Sequence, residues 1–100
     1  MDKKLFQILG LCQKAGKLAS GETGCLNAIR NLSAELIIVA QDASDNTKKK
    51  FSDSAGFYHR KLIAIGDKLE LGRAIGKDER AVLCVIDSGF AKKILEITEQ

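Results

Sequence analysis

The residues of this chain best suited to chemistry lie in its first glycine-rich turn, Ser20-Gly-Glu-Thr-Gly24, which runs into Cys25-Leu-Asn-Ala-Ile-Arg30. The pattern reads as a tight turn opening directly into a helix. A helix N-terminus presents unpaired backbone N–H groups and the positive end of the helix dipole, and both favour phosphate oxygens. Gly21 and Gly24 open the backbone to close approach and Thr23 and Asn27 supply polar side chains, whereas Glu22 in the first turn opposes phosphate by its charge. Docking of a nucleic-acid backbone is the chemistry such a turn supports. It lacks the lysine and the longer spacing of a Walker motif or a dinucleotide fingerprint.

A second candidate is Gly76-Lys-Asp-Glu-Arg80, between a predicted helix and an apolar run. Its flanks, Ile75 and Ala81-Val82, are expected to present an apolar surface to an unstacked base, with Lys77 or Arg80 on phosphate. A plain solvent loop reads equally well from the same residues. Lys48-Lys-Lys50 is a third basic feature, but successive helical residues point about 100° apart, so the three face different ways. A solvated face is the default expectation there, and phosphate steering the sharper one.

The remaining reactive residues read as structure. Asp42 and Asp87 each follow an apolar run and precede a helix, a position from which an acidic pair can hold Mg²⁺ in an open α/β sheet. Capping and turn chemistry suit both better, and no Asp-x-Asp pair is present. His59 is the sole histidine and cannot build a metal site alone. Cys12, Cys25 and Cys84 fit neither a disulfide framework nor a zinc spacing and are expected as buried free thiols in a reducing compartment. These residues predict a non-enzymatic protein without cofactor or metal.

The elements that must position the two loops follow from periodicity. Leu5, Ile8, Leu9 and Cys12 mark a helix closed by Gly16, and Lys17 to Ser20 a short extended piece. A second helix starts after Gly21, with Cys25, Ile29 and Leu32 inward. Leu36 to Ala40, Leu62 to Ile65 and Ala81 to Ile86 are continuous apolar runs, expected as strands covered on both faces. Ser44 or Asp45, Asp67, and Asp87 or Ser88 cap the intervening helices. Strands alternating with amphipathic helices predict one α/β domain over residues 1–100, a three-layer α/β/α sandwich around a small sheet, which the residues alone suggest is mostly parallel. The net charge of +3 and pI near 8.8 permit an RNA partner without demanding one. Met1-Asp-Lys-Lys leads into no hydrophobic signal region, so a cytoplasmic location and no membrane association are expected.

The order of these pieces resembles a known family. Gly21, Ala28-Ile29, Ala34-Glu-Leu-Ile-Ile-Val-Ala-Gln-Asp-Ala-Ser44, Glu70-Leu-Gly72, Ala74, Gly76 and Ala81-Val-Leu-Cys-Val-Ile-Asp87 are similar to the kink-turn-binding ribosomal proteins, the L-seven-Ae/L-thirty-e superfamily. Asp42-Ala-Ser with Asn46-Thr-Lys-Lys-Lys50, Ile75-Gly-Lys77 and Asp87-x-Gly89-Phe-Ala-Lys92 resembles its short bacterial YlxQ-type branch. The resemblance implies a four-stranded mixed sheet and recognition of kink-turns, sharply bent RNA elements with tandem sheared G·A pairs. It puts Gly21 to Asn27 beside those pairs and Ile75 to Val82 over extruded nucleotides.

The chain departs from the family's Gly-x-Asn-Glu-x-x-Lys motif, with Thr23, Gly24 and Asn27 at the Asn, Glu and Lys positions. Weaker or altered binding is expected, with Lys14 and Lys17 carrying more of the phosphate contact. The predicted RNA-binding set is therefore Lys14, Lys17, Gly21, Glu22, Thr23, Gly24, Asn27, Ile75, Gly76, Lys77 and Arg80. The expected partner is structured RNA, ribosomal RNA included, and not DNA. The alternative is a protein-interaction module that keeps the fold, binds a protein partner and has lost specific RNA recognition.

Overall fold

A computed structural model describes residues 1–99. The chain runs α1 (Lys3–Lys14), β1 (Leu18–Ser20), α2 (Gly21–Arg30), β2 (Leu36–Val39), α3 (Asp45–Tyr58), β3 (Lys61–Ala64), α4 (Lys68–Ala74), β4 (Val82–Val85) and α5 (Ser88–Thr98). The predicted caps are in place. Ser44 Oγ accepts from the Thr47 amide, Asp67 and Glu70 form a reciprocal capping box, and Asp87 accepts from the Phe90 amide.

The strands build one sheet in the order β1-β4-β2-β3. Only β2 and β3 pair in parallel; β1 with β4 and β2 with β4 are antiparallel. The mixed sheet is as the family resemblance implies, and the mostly parallel sheet read from the residues alone is corrected. Continuous apolar runs report that both faces are covered, which says nothing of strand direction.

Period-two alternation divides the core. Leu36, Ile38, Leu83 and Val85 pack with Leu5, Leu9 and Cys12 of α1, Leu71 of α4 and Ile94 of α5. The alternate residues Ile37, Val82 and Cys84 pack with Cys25 and Ile29 of α2 and Phe51 of α3. The result is the expected three-layer sandwich, with α1, α4 and α5 below the sheet and α2 and α3 above it.

Two further expectations are corrected. The run at Leu62 is not a buried strand: β3 is an edge strand, with Leu62 and Ile63 half-buried and Lys61 and Ala64 exposed. Leu32 is not on the inner face of α2. The helix stops at Arg30, Leu32 turns left-handed at φ 66°, and its side chain is 59% exposed.

Candidate nucleic-acid interface

β1, β2 and β3 all point one way and β4 the other, so one end of the sheet gathers four connections. Ser20 pairs with Leu83 and Val39 with Val82, while the Ala40 amide donates to Ala81 and the Gln41 amide to Gly66. The turn into α2 and the loop from α4 to β4 therefore meet at the same edge of the sheet. The antiparallel pairing that the sequence did not reveal is what brings them together.

Gly21 makes the turn at φ +81°, a conformation that side-chain-bearing residues avoid. Ser20 occupies the N-cap without a side-chain hydrogen bond, so the first-turn amides of α2 carry no side-chain cap. Burial of Cys25, Ala28 and Ile29 turns Thr23 and Asn27 to solvent, four residues apart on the outer face. Gly24 lies on this helix with room for a side chain: a Cβ there would only touch Ala19 Cβ at 4.0 Å. Gly24→Ala is thus expected to stabilise the fold by about 0.5–1 kcal/mol, through helix propensity alone. A higher Tm in thermal unfolding checks this; a lower one means the site needs glycine for another reason.

Glu22 does not stand as an unmatched negative charge at the helix start. Lys50 Nζ donates to its Oε1 at 2.7 Å and Thr47 Oγ1 to its Oε2 at 3.3 Å, while Ser44 Oγ donates to Thr47 Oγ1 at 3.0 Å. The chain of bonds ties the first turn of α2 to the first two turns of α3. The bond from Lys50 holds the Glu22 carboxyl below its ordinary pKa of 4.5. A depressed folded pKa stabilises above the ordinary value and ceases to do so as pH falls through the folded one. With Lys50 49% and Glu22 42% exposed, the link contributes about 0.2–1 kcal/mol. Glu22→Gln should therefore lower Tm slightly at neutral pH, and the difference from the parent chain should vanish in acid.

The α4–β4 loop is shaped by Gly72, which the sequence marked only through the Glu70-Leu-Gly72 segment of the resemblance. Gly72 is buried, and a Cβ on it would lie 2.1 Å from the Asp78 carbonyl oxygen and 2.7 Å from the carbonyl carbon. The loop thus crosses directly over α4, fastened by the Lys77 amide on Gly72 O at 2.9 Å. Ile75 does not present an apolar surface; its side chain is buried in the lower core, and Val82 is buried in the upper one. The strand–helix crossing pulls both inward, leaving the exposed residues Gly76, Lys77, Asp78 and Glu79 as the outer surface. Arg80 is also turned back on its own loop, its guanidinium donating to the carbonyls of Asp78 (3.1 Å) and Glu79 (2.9 Å). Lys77 and Arg80 are matched in number by Asp78 and Glu79, so the loop offers shape and one outward lysine rather than net charge.

The profile of the ribosomal protein L7Ae/L30e/S12e/Gadd45 family matches residues 3–96. The chain belongs to this family. Relatives named RNA-binding protein YlxQ are 39% identical over 94 residues in Bacillus subtilis (94% of each chain) and 40% identical over 97 residues in Enterococcus faecium (97% of this chain, 93% of the relative). A protein of unknown function from Bacillus halodurans superposes with a TM-score of 0.94 at 37% identity, covering 99% of this chain and 100% of its own. The Giardia lamblia 15.5kD RNA binding protein shares the fold, with a TM-score of 0.79 at 20% identity over 99% of this chain and 88% of its own.

Within this L7Ae-family fold, the predicted residues divide by position. Gly21, Glu22, Thr23, Gly24, Gly76, Lys77 and Arg80 belong to the two connections at the shared edge, and Asn27 follows one turn along α2. Lys14 and Lys17 lie at the other end of β1, where the Ile86 amide donates to Lys17 O. Thr47, Lys50 and Gly72 were missed as parts of this edge. Lys50 was legible only within the Lys48-Lys-Lys50 run, and Thr47 and Gly72 only within segments quoted for the resemblance.

The acidic pair is dissolved by the same topology. Asp42 follows β2 and Asp87 follows β4, which run antiparallel, so they lie at opposite ends of the sheet. Asp42 accepts from the Lys68 amide at 2.9 Å, and Asp87 caps α5. No group of three metal-ligating side chains forms among the described residues. Burial lifts the Cys12 thiol to about 11. Cys25 is held protonated by its hydrogen bond with Cys84 and by burial.

Proposed function

We propose that the chain is a non-enzymatic RNA-binding protein whose target is a kink-turn or a similarly bent structured RNA, ribosomal RNA among the candidates. The observation that carries this reading is the meeting of the α2 N-terminus and the α4–β4 loop at one sheet edge, each turning on a glycine at positive φ. The family and the RNA-binding names of relatives at about 40% identity support it. In this reading the first-turn amides of α2 meet phosphate, Thr23 and Asn27 hydrogen-bond the base pairs beside the bend, and Gly76 with Lys77 covers a displaced nucleotide.

Lys77 is the outward cation of the loop, whereas Arg80 maintains loop shape. Lys77→Ala should therefore weaken binding to matched and mismatched RNAs alike and reduce the slope of log affinity against log salt by about 1. Arg80→Ala should leave that slope closer to the parent value. Equal slopes for the parent chain and Lys77→Ala would remove Lys77 from the contact.

A further inference from the structure

The corner where α3 ends and β3 begins is not used by the edge described above. Phe57 is 76% exposed, the most exposed of the large apolar side chains, and its ring is braced edge-on by Tyr58 with centroids 4.9 Å apart. His59 then turns left-handed at φ 56°, and Arg60 and Lys61 follow at once in the chain, Lys61 opening β3. No carboxylate occurs from Ser54 to Gly66. Neither Arg60 nor Lys61 makes an ion pair among the described residues, and the buried Arg60 Nε has no hydrogen-bond partner. The register also brings Glu35 near, since Leu36 pairs with Lys61, yet it is not ion-paired with either cation.

Cations at the end of a helix complement its negative dipole end, so their presence alone has an ordinary cause. A bare, braced aromatic ring followed within four residues by two cations in no ion pair has no such cause. A single exposed ring is too small for a protein interface, which needs a contiguous apolar core. It matches an unpaired nucleotide, whose base stacks on an aromatic face while its phosphate meets Arg or Lys. We propose that Phe57, with Arg60 and Lys61, forms a second RNA contact that stacks an unpaired base. It rests on the RNA-binding reading above and extends it. The fourteen residues of α3 put this corner about 20 Å from the first site, within reach of a strand flanking a folded element.

The chain has one tyrosine, Tyr58, and no tryptophan, so its intrinsic fluorescence reports this corner. The probes are a short unpaired oligoadenylate, and a kink-turn RNA with and without a single-stranded overhang. The oligoadenylate should quench Tyr58 saturably, Phe57→Ala should weaken its binding roughly 5- to 100-fold, and Phe57→Trp should retain it. Phe57→Ala should also abolish any gain from the overhang while leaving affinity for the blunt RNA unchanged. Circular dichroism checks that the variants fold. Absence of quenching, or equal oligoadenylate affinity in the parent chain and Phe57→Ala, would overturn the proposal even where the blunt kink-turn binds. Phe57-dependent oligoadenylate binding without kink-turn binding would uphold it and refute the edge site.

Discussion

Gly72→Ala is expected to unsettle both the fold and the RNA contact, because the added methyl meets main chain rather than a movable side chain. Its nearest neighbours would be the carbonyl oxygen of Asp78 at 2.1 Å, the carbonyl carbon of Asp78 at 2.7 Å and the carbonyl oxygen of Lys77 at 3.0 Å. Rotamer changes cannot relieve such a clash, so either α4 tilts or the α4–β4 loop lifts. Overpacking of this kind costs about 1–3 kcal/mol, a fall in Tm of roughly 5–20 °C for a chain of this size. Lifting the loop also moves Gly76 and Lys77 away from the turn into α2, so the loss of RNA affinity should exceed that of Lys77→Ala. Unchanged Tm and unchanged affinity would mean that the loop does not rest on Gly72 in solution.

Gly21→Val acts through backbone conformation alone. Nothing lies within 4 Å of a Cβ at Gly21, yet its φ is +81°, where a β-branched L-residue is a conformational outlier. Holding it there costs about 1–3 kcal/mol, and relaxing it redirects the first amides of α2. Chemical synthesis separates these effects. D-alanine in place of Gly21 favours positive φ, so the fold should keep its stability. If RNA packs closely on this turn, as proposed, the same D-alanine should still weaken binding. A D-alanine protein that binds as well as the parent chain would show that RNA does not approach Gly21.

What the sequence made legible was local. Ser44, Asp67 and Asp87 cap helices because capping chemistry lies within three residues of the cap, and the continuous apolar runs at Leu36 to Val39 and Val82 to Val85 mark strands covered on both faces without long-range information. The pairs that build the site are distant in sequence. Glu22 meets Thr47 and Lys50 across 25 and 28 residues, so an apparently repulsive carboxylate reads as unmatched until α2 and α3 are packed. Strand direction was hidden for a related reason, since a fully buried strand has the same composition either way. Its consequence was large: reversing β4 relative to β2 separates Asp42 from Asp87 and joins the Gly21 turn to the Gly76 loop. The inward pull on Ile75 was likewise set by tertiary packing, not by the loop residues around it.

The most direct measurement is a titration of the chain with a kink-turn RNA, alongside a copy whose G·A pairs are replaced, each at two salt concentrations. The account predicts tighter binding to the intact element at both, with the preference surviving as salt weakens the shared phosphate contacts. Equal, weak and salt-sensitive binding to the two RNAs would contradict it. That result would mean that specific recognition was lost with the side chains replaced at Thr23, Gly24 and Asn27.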